Sequence, residues 1–218
     1  MNGVSRLDEG RSQRRLFKYG FVIVTAALLA VSLLAPIYPR EQTLQHAPTV
    51  IALAFMAIGI RKDWLSLSSC TCIAMFLWLH ILGARYIYSF VPYDDWAIAV
   101  CGTSVSELFG WNRNHYDRVV HFLFGCLCIP PATEAAHRFG KLTRPWAMTF
   151  AVLVVLAVGA LYEILEWLLT VVMAPRHAEA YNGQQGDMWD AQKDMALALA
   201  GALCVVVLMT ARRHVRSR

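Results

Sequence analysis

Six long apolar runs constrain this chain more than any other feature of its sequence. A helix needs roughly 20 mostly apolar residues to cross the hydrocarbon core of a bilayer. Hydrophobic residues make up 57% of the 218 residues and charged residues 16%, whereas soluble domains average about 45–50% and 25%. The sequence therefore predicts an all-α, polytopic membrane helical bundle with six transmembrane helices, at 18–36, 43–60, 64–84, 117–137, 145–173 and 191–211.

The chain is expected to form one membrane domain between two short tails. Residues 1–17 are predicted to be a cytoplasmic N-terminal tail, 18–211 the six-helix transmembrane domain, and 212–218 a basic cytoplasmic tail. The outer loop over 85–116 is rich in Tyr, Trp and Phe, which favour the headgroup layer. Within this loop, Asp94 and Asp95 are expected to cap a short interfacial helix that runs from Trp96 to about Phe109.

The distribution of basic residues predicts the orientation of the bundle. In a six-helix arrangement, fourteen of the twenty Lys and Arg residues lie on one side of the membrane and six on the other. The positive-inside rule then places both termini of this multi-pass protein in the cytoplasm. The net charge is +5, but the basic residues do not form a patch interleaved with aromatic residues, as a nucleic-acid-binding surface would. Membrane lipids are therefore the expected partners, and nucleic acid is not. The sequence does not indicate a protein partner.

Two glutamates interrupt the fifth apolar run. Glu163 and Glu166 stand at i and i+3, which puts both on one face of a helix. A charged side chain at the centre of a bilayer costs about 2.5–3.5 kcal/mol on insertion scales and is usually functional. Two carboxylates in one apolar helix have no cheap structural role, so this pair is predicted to serve a function.

Further ionisable residues lie at the starts of the fourth and sixth runs, and His80 lies near the end of the third. Asp187, Asp190 and Asp194 fall at i, i+3 and i+7, so they share one face if the sixth helix begins there. Asp117 and His121 stand one turn apart at the start of the fourth run. The orientation count sends all these groups to the outer half of the bilayer, where they are expected to converge.

Each of these residues also has a simpler interpretation that does not require the groups to converge. Asp187 and Asp190 would stabilise the positive end of the sixth helix dipole if they only cap it. His80, near the end of the third run, would be a packed interfacial histidine. Asp117 and Arg118 would form an ion pair that holds the fourth helix at the interface.

If the groups converge, they form a set of mostly oxygen ligands with one imidazole. Such ligands suit Mg, Mn or Ca, with Zn accommodated through the histidine. The predicted metal ligands are Glu163, Glu166, Asp187, Asp190, Asp194 and His121. His121, Glu163 and Glu166 are also the predicted catalytic residues. Arg118, Lys193 and His80 are predicted to bind substrate.

The polar motifs together resemble those of the YjdF-type inner-membrane proteins, a family of unknown function. One part of the resemblance lies in Arg113, Asn114, Tyr116, Asp117, Arg118, His121, Phe122 and Gly125. The rest lies in His80, Gly83, Ala84, Tyr86, Tyr88, Pro92, Glu163, Glu166, Trp167, Gly186, Asp187, Trp189, Asp190, Gln192, Lys193 and Asp194. The resemblance covers most of the chain beyond the first helix. It implies a multi-pass protein of the bacterial cytoplasmic (inner) membrane without implying a reaction.

A more remote similarity is to VanZ-like membrane proteins, which share a simpler set of polar residues. The matching positions here are Asp117, Arg118, His121, Glu166, Arg176 and Asp190. This sequence departs from that pattern through Trp167 and the added aspartates. The similarity implies a shared polar site and no particular activity.

Three functions are compatible with such a site. The first is a metal-dependent enzyme that acts on a lipid or lipid-linked substrate at the outer leaflet. The second is a proton- or cation-coupled transporter, which would need polar residues continuing to the cytoplasmic side, where the sequence offers mainly Glu134 and His137. The third is a non-catalytic membrane scaffold or lipid-binding protein.

Overall fold

Helices are the only regular secondary structure in the part of the chain that the structure describes. The computed structural model describes residues 3–172 and 184–216. The long helices are α1 (Gly3–Ser32), α2 (Pro39–Arg61), α3 (Leu67–Arg85), α6 (Tyr116–Arg138), α7 (Arg144–Val172) and α8 (Asp190–Arg216), and the short ones are α4 (Tyr93–Cys101) and α5 (Val105–Phe109). Among the described residues, the six long helices are each long and apolar enough to span a membrane. The predicted six-helix membrane bundle is confirmed.

The first two helix boundaries differ from the predicted ones by several residues. α1 ends at Ser32, before Ala35, whose φ of +45° is incompatible with a continuing right-handed helix. α2 begins at Pro39, because proline has a φ suited to the first helical turn and needs no backbone hydrogen bond there. Helix also continues into both segments predicted as tails. Which end of the bundle faces the cytoplasm stays a prediction.

The predicted interfacial helix from Trp96 to Phe109 is wrong in its extent. It is divided into α4 and α5 by Gly102, which ends α4 in the left-handed conformation with φ +78°. The predicted capping by two aspartates is also wrong, since the N-cap of α4 is Pro92 and has no side-chain cap. Asp94 instead accepts the backbone N–H of Ser106 at 2.9 Å, which ties α4 to α5.

The α6 helix lies at the centre of the bundle and packs against α3, α7 and α8. Its closest neighbour is α8. A Cβ on Gly125 would lie 2.0 Å from the Ala198 carbonyl oxygen, and one on Gly201 would lie 2.1 Å from the Phe122 carbonyl oxygen. Small residues at such crossings let two membrane helices touch backbone to backbone. Because α6 and α8 both begin at the α4–α5 end, this contact also aligns their first turns.

Two apolar clusters fill the interior. One joins α6, α7 and α8 and has Ile129, Ala151, Val155, Ala198 and Ala202 at its centre. The other joins α2 and α3, with Met56, Ile60, Cys70 and Ala74 buried beside α1. The space between these clusters, near the α4–α5 end, contains the polar residues described next.

Candidate functional site

Ionisable residues of α6, α7 and α8, and of the turns before α6 and α8, meet at the α4–α5 end of the bundle. They form two groups that share the first turns of α6 and α8. The acidic cluster consists of Asp117, His121, Glu163 and Asp194. The ion-pair network consists of Arg113, Arg118, Asp187, Asp190 and Lys193.

In the acidic cluster, one imidazole lies between carboxylates from three helices. His121 Nε2 is 3.6 Å from Asp117 Oδ1, one turn earlier on α6, and 3.5 Å from Glu163 Oε1 on α7. One ligand atom each from Asp117, His121 and Asp194 lies within 4.8 Å of the other two. Three equivalent donors bound to one metal at about 2.1 Å are at most about 3.6 Å apart. Side-chain shifts of up to about 1 Å would therefore let these three residues coordinate one ion.

The acidic cluster is largely buried and makes no direct contact with a Lys or Arg of the described residues, although Arg113 and Arg118 interact electrostatically with it from a greater distance. Asp194 is 2% exposed, and the Glu163 side chain is 11% exposed. Among the described residues, no Lys or Arg nitrogen lies within 4 Å of the Asp117, Glu163 or Asp194 carboxyl oxygens. Glu163 Oε1 and Asp194 Oδ1 also receive no hydrogen bond from any described residue. Buried carboxylates of this kind need protons or a bound cation.

Glu166 lies at the edge of the acidic cluster. It is half-buried, hydrogen-bonds with Tyr162 one turn earlier on α7, and interacts electrostatically with Asp117 and Glu163. It is therefore a further carboxyl group beside the cluster, although it is not among the three residues whose ligand atoms converge.

The ion-pair network joins the start of α8 to the residues around the start of α6. Arg113 Nη1 is 2.7 Å from Asp190 Oδ1, and Arg118 Nη2 is 2.5 Å from Asp187 Oδ2 and 3.3 Å from Asp190 Oδ1. Lys193 Nζ is 2.6 Å from Asp187 Oδ2. Two aspartates thus meet three cations, so the network has an excess of one positive charge, and Arg113 and Arg118 also interact electrostatically with Asp117.

Asp187 also holds the turn that precedes α8, which begins at Asp190, and the predicted capping of the helix itself stays a prediction. Asp187 Oδ1 accepts the backbone N–H of Trp189 at 3.1 Å. Hydrogen bonds lower the pKa of Asp187 from 3.8 to about 2, with the largest effect from Lys193, a smaller one from the Trp189 N–H and a still smaller one from Arg118. Desolvation of the carboxylate acts in the opposite direction. This carboxylate stays ionised at any physiological pH.

The lowered pKa of Asp187 predicts an acid-dependent loss of stability. A carboxylate with a lowered pKa in the folded state stabilises fully above its unfolded pKa, and the stabilisation declines as the pH falls from about 4 towards 2. In detergent, we expect the melting temperature of the wild type to exceed that of Asp187→Asn at pH 6, and the difference to shrink below pH 4. Asp95→Asn, an exposed site on α4, is the control. A difference that is constant from pH 6 to pH 3 would contradict the role of the Asp187 charge.

The structure divides the predicted ligand set between the two groups. His121, Glu163 and Asp194 lie in the acidic cluster, whereas Asp187 and Asp190 are bound by arginines and Lys193. The role of these five residues as metal ligands stays a prediction, as do the predicted catalytic and metal-binding roles of Glu163 and Glu166. The residue missing from the predicted ligand set is Asp117, although its spacing of four from His121 and its place in both family resemblances pointed to it.

A mostly apolar cavity of about 180 Å³ reaches the acidic cluster from within the bundle. Its polar end contains Asp117, His121 and Tyr162, and its apolar wall includes Phe76 and Phe124. The walls come from α2 and α3 on one side and from α6 and α7 on the other. Because α2 packs on α1 and α3, whereas α7 packs on α6 and α8, the cavity lies where the two halves of the bundle meet.

His80 lines this cavity with both ring nitrogens engaged. Its Nε2 lies 2.8 Å from the Gln45 carbonyl oxygen, which only accepts, so Nε2 carries the proton. Its Nδ1 then accepts from the Tyr88 hydroxyl. Tyr88 is held in position by left-handed backbone at Ile87 and Tyr88, and its ring covers Gly83, where a Cβ would lie 2.7 Å from the ring. The prediction that His80 binds substrate stays a prediction.

Arg118 and Lys193 face away from this cavity. They line a separate groove of about 650 Å³ between α6 and α8, above apolar side chains such as Phe122 and Leu197. Successive residues of a helix point about 100° apart, which is why Asp117 and Arg118 face different sides of α6. The predicted pair between these two neighbours is therefore wrong, because Arg118 binds Asp187 and Asp190 instead. Binding of substrate by Arg118 and Lys193 stays a prediction.

At the opposite end of the bundle, Glu134 caps α3. Its Oε1 accepts the backbone N–H of Ser66 at 2.9 Å, and its Oε2 accepts the hydroxyl of Ser69. His137 Nδ1 lies 2.8 Å from the Leu142 carbonyl oxygen. These polar residues thus hold the ends of helices. Arg176, a match in the VanZ-like pattern, lies outside the described residues.

Comparison with known proteins agrees with the membrane architecture. A family model described as a predicted membrane protein (DUF2238) matches residues 17–215. Inner membrane protein YjdF of Escherichia coli (strain K12) is 32% identical over 174 residues, which make up 79% of this chain and 78% of YjdF. No solved structure matches the chain. The resemblance to YjdF-type proteins is confirmed, and the VanZ-like similarity stays a prediction.

Proposed function

This chain belongs to the DUF2238 family of membrane proteins, and we propose that it is a metal-dependent enzyme that acts on a lipid-linked phosphate in the outer leaflet. It is a multi-pass protein of the inner membrane. The membrane location limits the candidates for substrate to molecules that reach the site from the bilayer or from the aqueous phase beside it. The geometry of the acidic cluster supports the choice of chemistry.

The convergence of Asp117, His121 and Asp194 carries the proposal. Three ligand atoms within 4.8 Å of one another, on buried side chains with no Lys or Arg beside them in the described ranges, form a set that suits a divalent cation. Two carboxylates and one imidazole match Mn²⁺ or Mg²⁺, with Zn²⁺ as a further candidate. The cation would neutralise a cluster whose carboxylates otherwise repel each other in a medium of low dielectric constant.

The cavity supports a lipid-linked substrate. Its lining is mostly apolar, and its one acidic end lies at the acidic cluster. An apolar chain in the cavity would bring an attached phosphate to Asp117 and His121. A water-soluble substrate would gain nothing from side chains such as Phe76 and Phe124.

The residues of the cluster suit hydrolysis of a phosphate ester. A bound divalent metal would supply charge stabilisation for the phosphoryl oxygens. Glu163, 3.5 Å from His121 and with no hydrogen bond to Oε1 among the described residues, is positioned to accept a proton from the attacking water. As the oxygen of that water bonds to phosphorus, the bond from phosphorus to the lipid oxygen breaks. Glu163 then returns the proton to the lipid oxygen, which leaves as an alcohol beside free inorganic phosphate.

The test is release of phosphate from membrane lipid by the purified protein. The protein is mixed with bacterial inner-membrane lipid extract and Mn²⁺, Mg²⁺ or Zn²⁺, and both phosphate and altered lipids are measured. We expect metal-dependent release, and we expect Glu163→Gln to slow it by about 10²–10⁴-fold, the usual contribution of a general base. Glu107→Gln, an exposed acidic residue on α5, is the matched control. No metal-dependent change in any lipid, or equal rates for Glu163→Gln and the wild type, would sink the proposal.

Two alternatives remain open to experiment. A proton- or cation-coupled transporter would use the same carboxylates, but it needs polar groups that continue across the bundle, and Glu134 at the other end is engaged in capping α3. A scaffold or lipid-binding protein would use the carboxylates to hold helices together. That role is disfavoured because buried carboxylates without cationic partners destabilise a fold.

A further inference from the structure

A second polar feature lies on α2, outside the acidic cluster. Gln42, Gln45, His46 and Thr49 occupy positions i, i+3, i+4 and i+7, so they form one face of the helix. This α2 polar face points into the bundle, and each of its four residues is between 0% and 4% exposed. Polar side chains at this depth in a membrane bundle require hydrogen-bond partners.

Protein groups supply only part of what the α2 polar face needs. Gln42 Nε2 donates to the Ser32 carbonyl oxygen at 2.6 Å. The Ser32 hydroxyl donates to the Leu29 carbonyl oxygen at 2.7 Å. His46 Nε2 must therefore donate to Ser32 Oγ, which is 3.0 Å away, and His46 Nδ1 is an acceptor.

Five atoms of the α2 polar face have no hydrogen-bond partner among the described residues. They are Gln42 Oε1, both side-chain polar atoms of Gln45, His46 Nδ1 and Thr49 Oγ1. Buried polar atoms in native proteins nearly always have a protein or water partner. Five exceptions on one helix face indicate a bound partner rather than five separate defects.

The chemistry of these atoms selects the partner. Gln42 Oε1, Gln45 Oε1 and His46 Nδ1 accept, Gln45 Nε2 donates, and the Thr49 hydroxyl does both. Arg85, whose Nη1 donates to the Ser32 carbonyl oxygen at 2.5 Å, places a positive charge beside this face and disfavours a bound cation. A small neutral molecule that both donates and accepts fits the set, and water is that molecule.

The α2 polar face continues into the cavity that reaches the acidic cluster. Thr49 and His80 line that cavity together with Asp117, and His80 is hydrogen-bonded to the Gln45 carbonyl oxygen. From Gln42 to Thr49 the helix rises about 10 Å at 1.5 Å per residue. Hydrogen-bonding groups therefore extend from the end of α1, where Arg85 binds, to the acidic cluster.

We propose that the α2 polar face binds a short file of water molecules, which joins the aqueous phase at the α4–α5 end to the cavity beside Asp117. Water binding is independent of the enzymatic activity proposed above. The further claim that this file supplies the attacking water rests on the proposed hydrolysis. A lipid phosphate would then meet water at the acidic cluster without opening of the bundle.

Radiolytic hydroxyl labelling in ¹⁸O-water tests the water file directly, because ordered water beside a buried side chain transfers its oxygen to that side chain. In the full-length protein in detergent, we expect His46 and His80 to incorporate ¹⁸O, after correction for intrinsic reactivity, at least fivefold more than Met56. Met56 is 1% exposed within the apolar cluster of α2 and α3 and serves as the dry reference. Labelling of both histidines at or below the level of Met56 would overturn the proposal.

Two variants sharpen this test. Thr49→Val keeps the side-chain shape and removes the hydroxyl, and Gln45→Leu removes both amide atoms. We expect either variant that folds to reduce labelling of His46 and His80 at least threefold. Thr71→Val is the control, at a half-buried position on α3 whose hydroxyl donates to the Leu67 carbonyl oxygen of the same helix, and it should leave the labelling unchanged. Unchanged labelling in Thr49→Val would also overturn the proposal. The measurement uses no substrate, so water binding and lipid hydrolysis are tested separately. Either proposal can fail while the other holds.

Discussion

Asp194→Asn is expected to weaken Mn²⁺ binding by more than about 100-fold, because loss of a residue that only orients a metal ligand already costs 10–100-fold. Asn keeps the size of the side chain and removes its charge. In the wild type, Asp194 supplies one of the three convergent ligand atoms from a side chain that is 2% exposed. Equilibrium titration, with free Mn²⁺ followed by electron paramagnetic resonance, measures the change.

The same variant distinguishes a metal site from a structural role. Without metal, Asp194→Asn is expected to melt at the same temperature as the wild type or higher, since it removes one of several mutually repelling carboxylates. With Mn²⁺, the wild type gains stability and the variant does not. Asp95→Asn, an exposed site on α4, should behave as the wild type in both conditions. Equal Mn²⁺ affinity for Asp194→Asn and the wild type would contradict the assigned ligand.

Gly125→Ala is expected to destabilise the bundle and disrupt the acidic cluster together. The added Cβ would lie 2.0 Å from the Ala198 carbonyl oxygen and 2.8 Å from the Ala202 backbone nitrogen, and backbone atoms cannot move aside as a side chain can. The helices must therefore separate, at a cost of about 1–3 kcal/mol or more for overpacking. His121 and Asp194 each lie one turn before the contact, so the separation moves these two ligands apart and lowers metal affinity.

A matched glycine gives the control for this prediction. Gly159 is also helical, and a Cβ there would meet no atom within 4 Å, so Gly159→Ala should be neutral or slightly stabilising through helix propensity. Thermal unfolding in detergent and Mn²⁺ titration are measured for both variants. If Gly125→Ala is as stable as Gly159→Ala, α6 and α8 do not cross as closely as described.

The helices could be predicted from the sequence, whereas the pairing of their side chains could not. Apolar length alone determines which segments span a bilayer, and this is why all six runs correspond to helices. The polar contacts depend instead on how helices rotate and cross. Asp117 and Arg118 are neighbours in sequence, yet they face a cavity and a groove on different sides of α6.

The start of α8 shows the same limit. Three aspartates at i, i+3 and i+7 form one stripe only if all three are helical, but α8 begins at Asp190. Asp187 therefore lies in the preceding turn and binds Arg118 and Lys193. The helix boundary accounts for Asp187 alone, because Asp190 lies within α8 and is bound by Arg113 and Arg118. Boundaries are the least certain part of any sequence-based prediction.

Two other features had signals that the sequence prediction did not use. The α2 polar face is visible in the sequence as the helical spacing of Gln42, Gln45, His46 and Thr49. Because these residues are neutral, they indicate a functional site less strongly than carboxylates in an apolar run do. The crossing of α6 and α8 has small residues on both sides, with Gly125 on α6 and Ala198, Gly201 and Ala202 on α8. Which small residues meet was not predictable, because that depends on the rotation of both helices.

Anomalous scattering from crystals grown with Mn²⁺ tests the central claim most directly. Data collected at the Mn absorption edge should show one strong peak within about 2.0–2.4 Å of Asp117, His121 and Asp194, as expected for oxygen and nitrogen ligands of a divalent cation. A peak beside Asp187 and Asp190 instead, or no peak in fully loaded crystals, would contradict the assignment of the acidic cluster as a metal site.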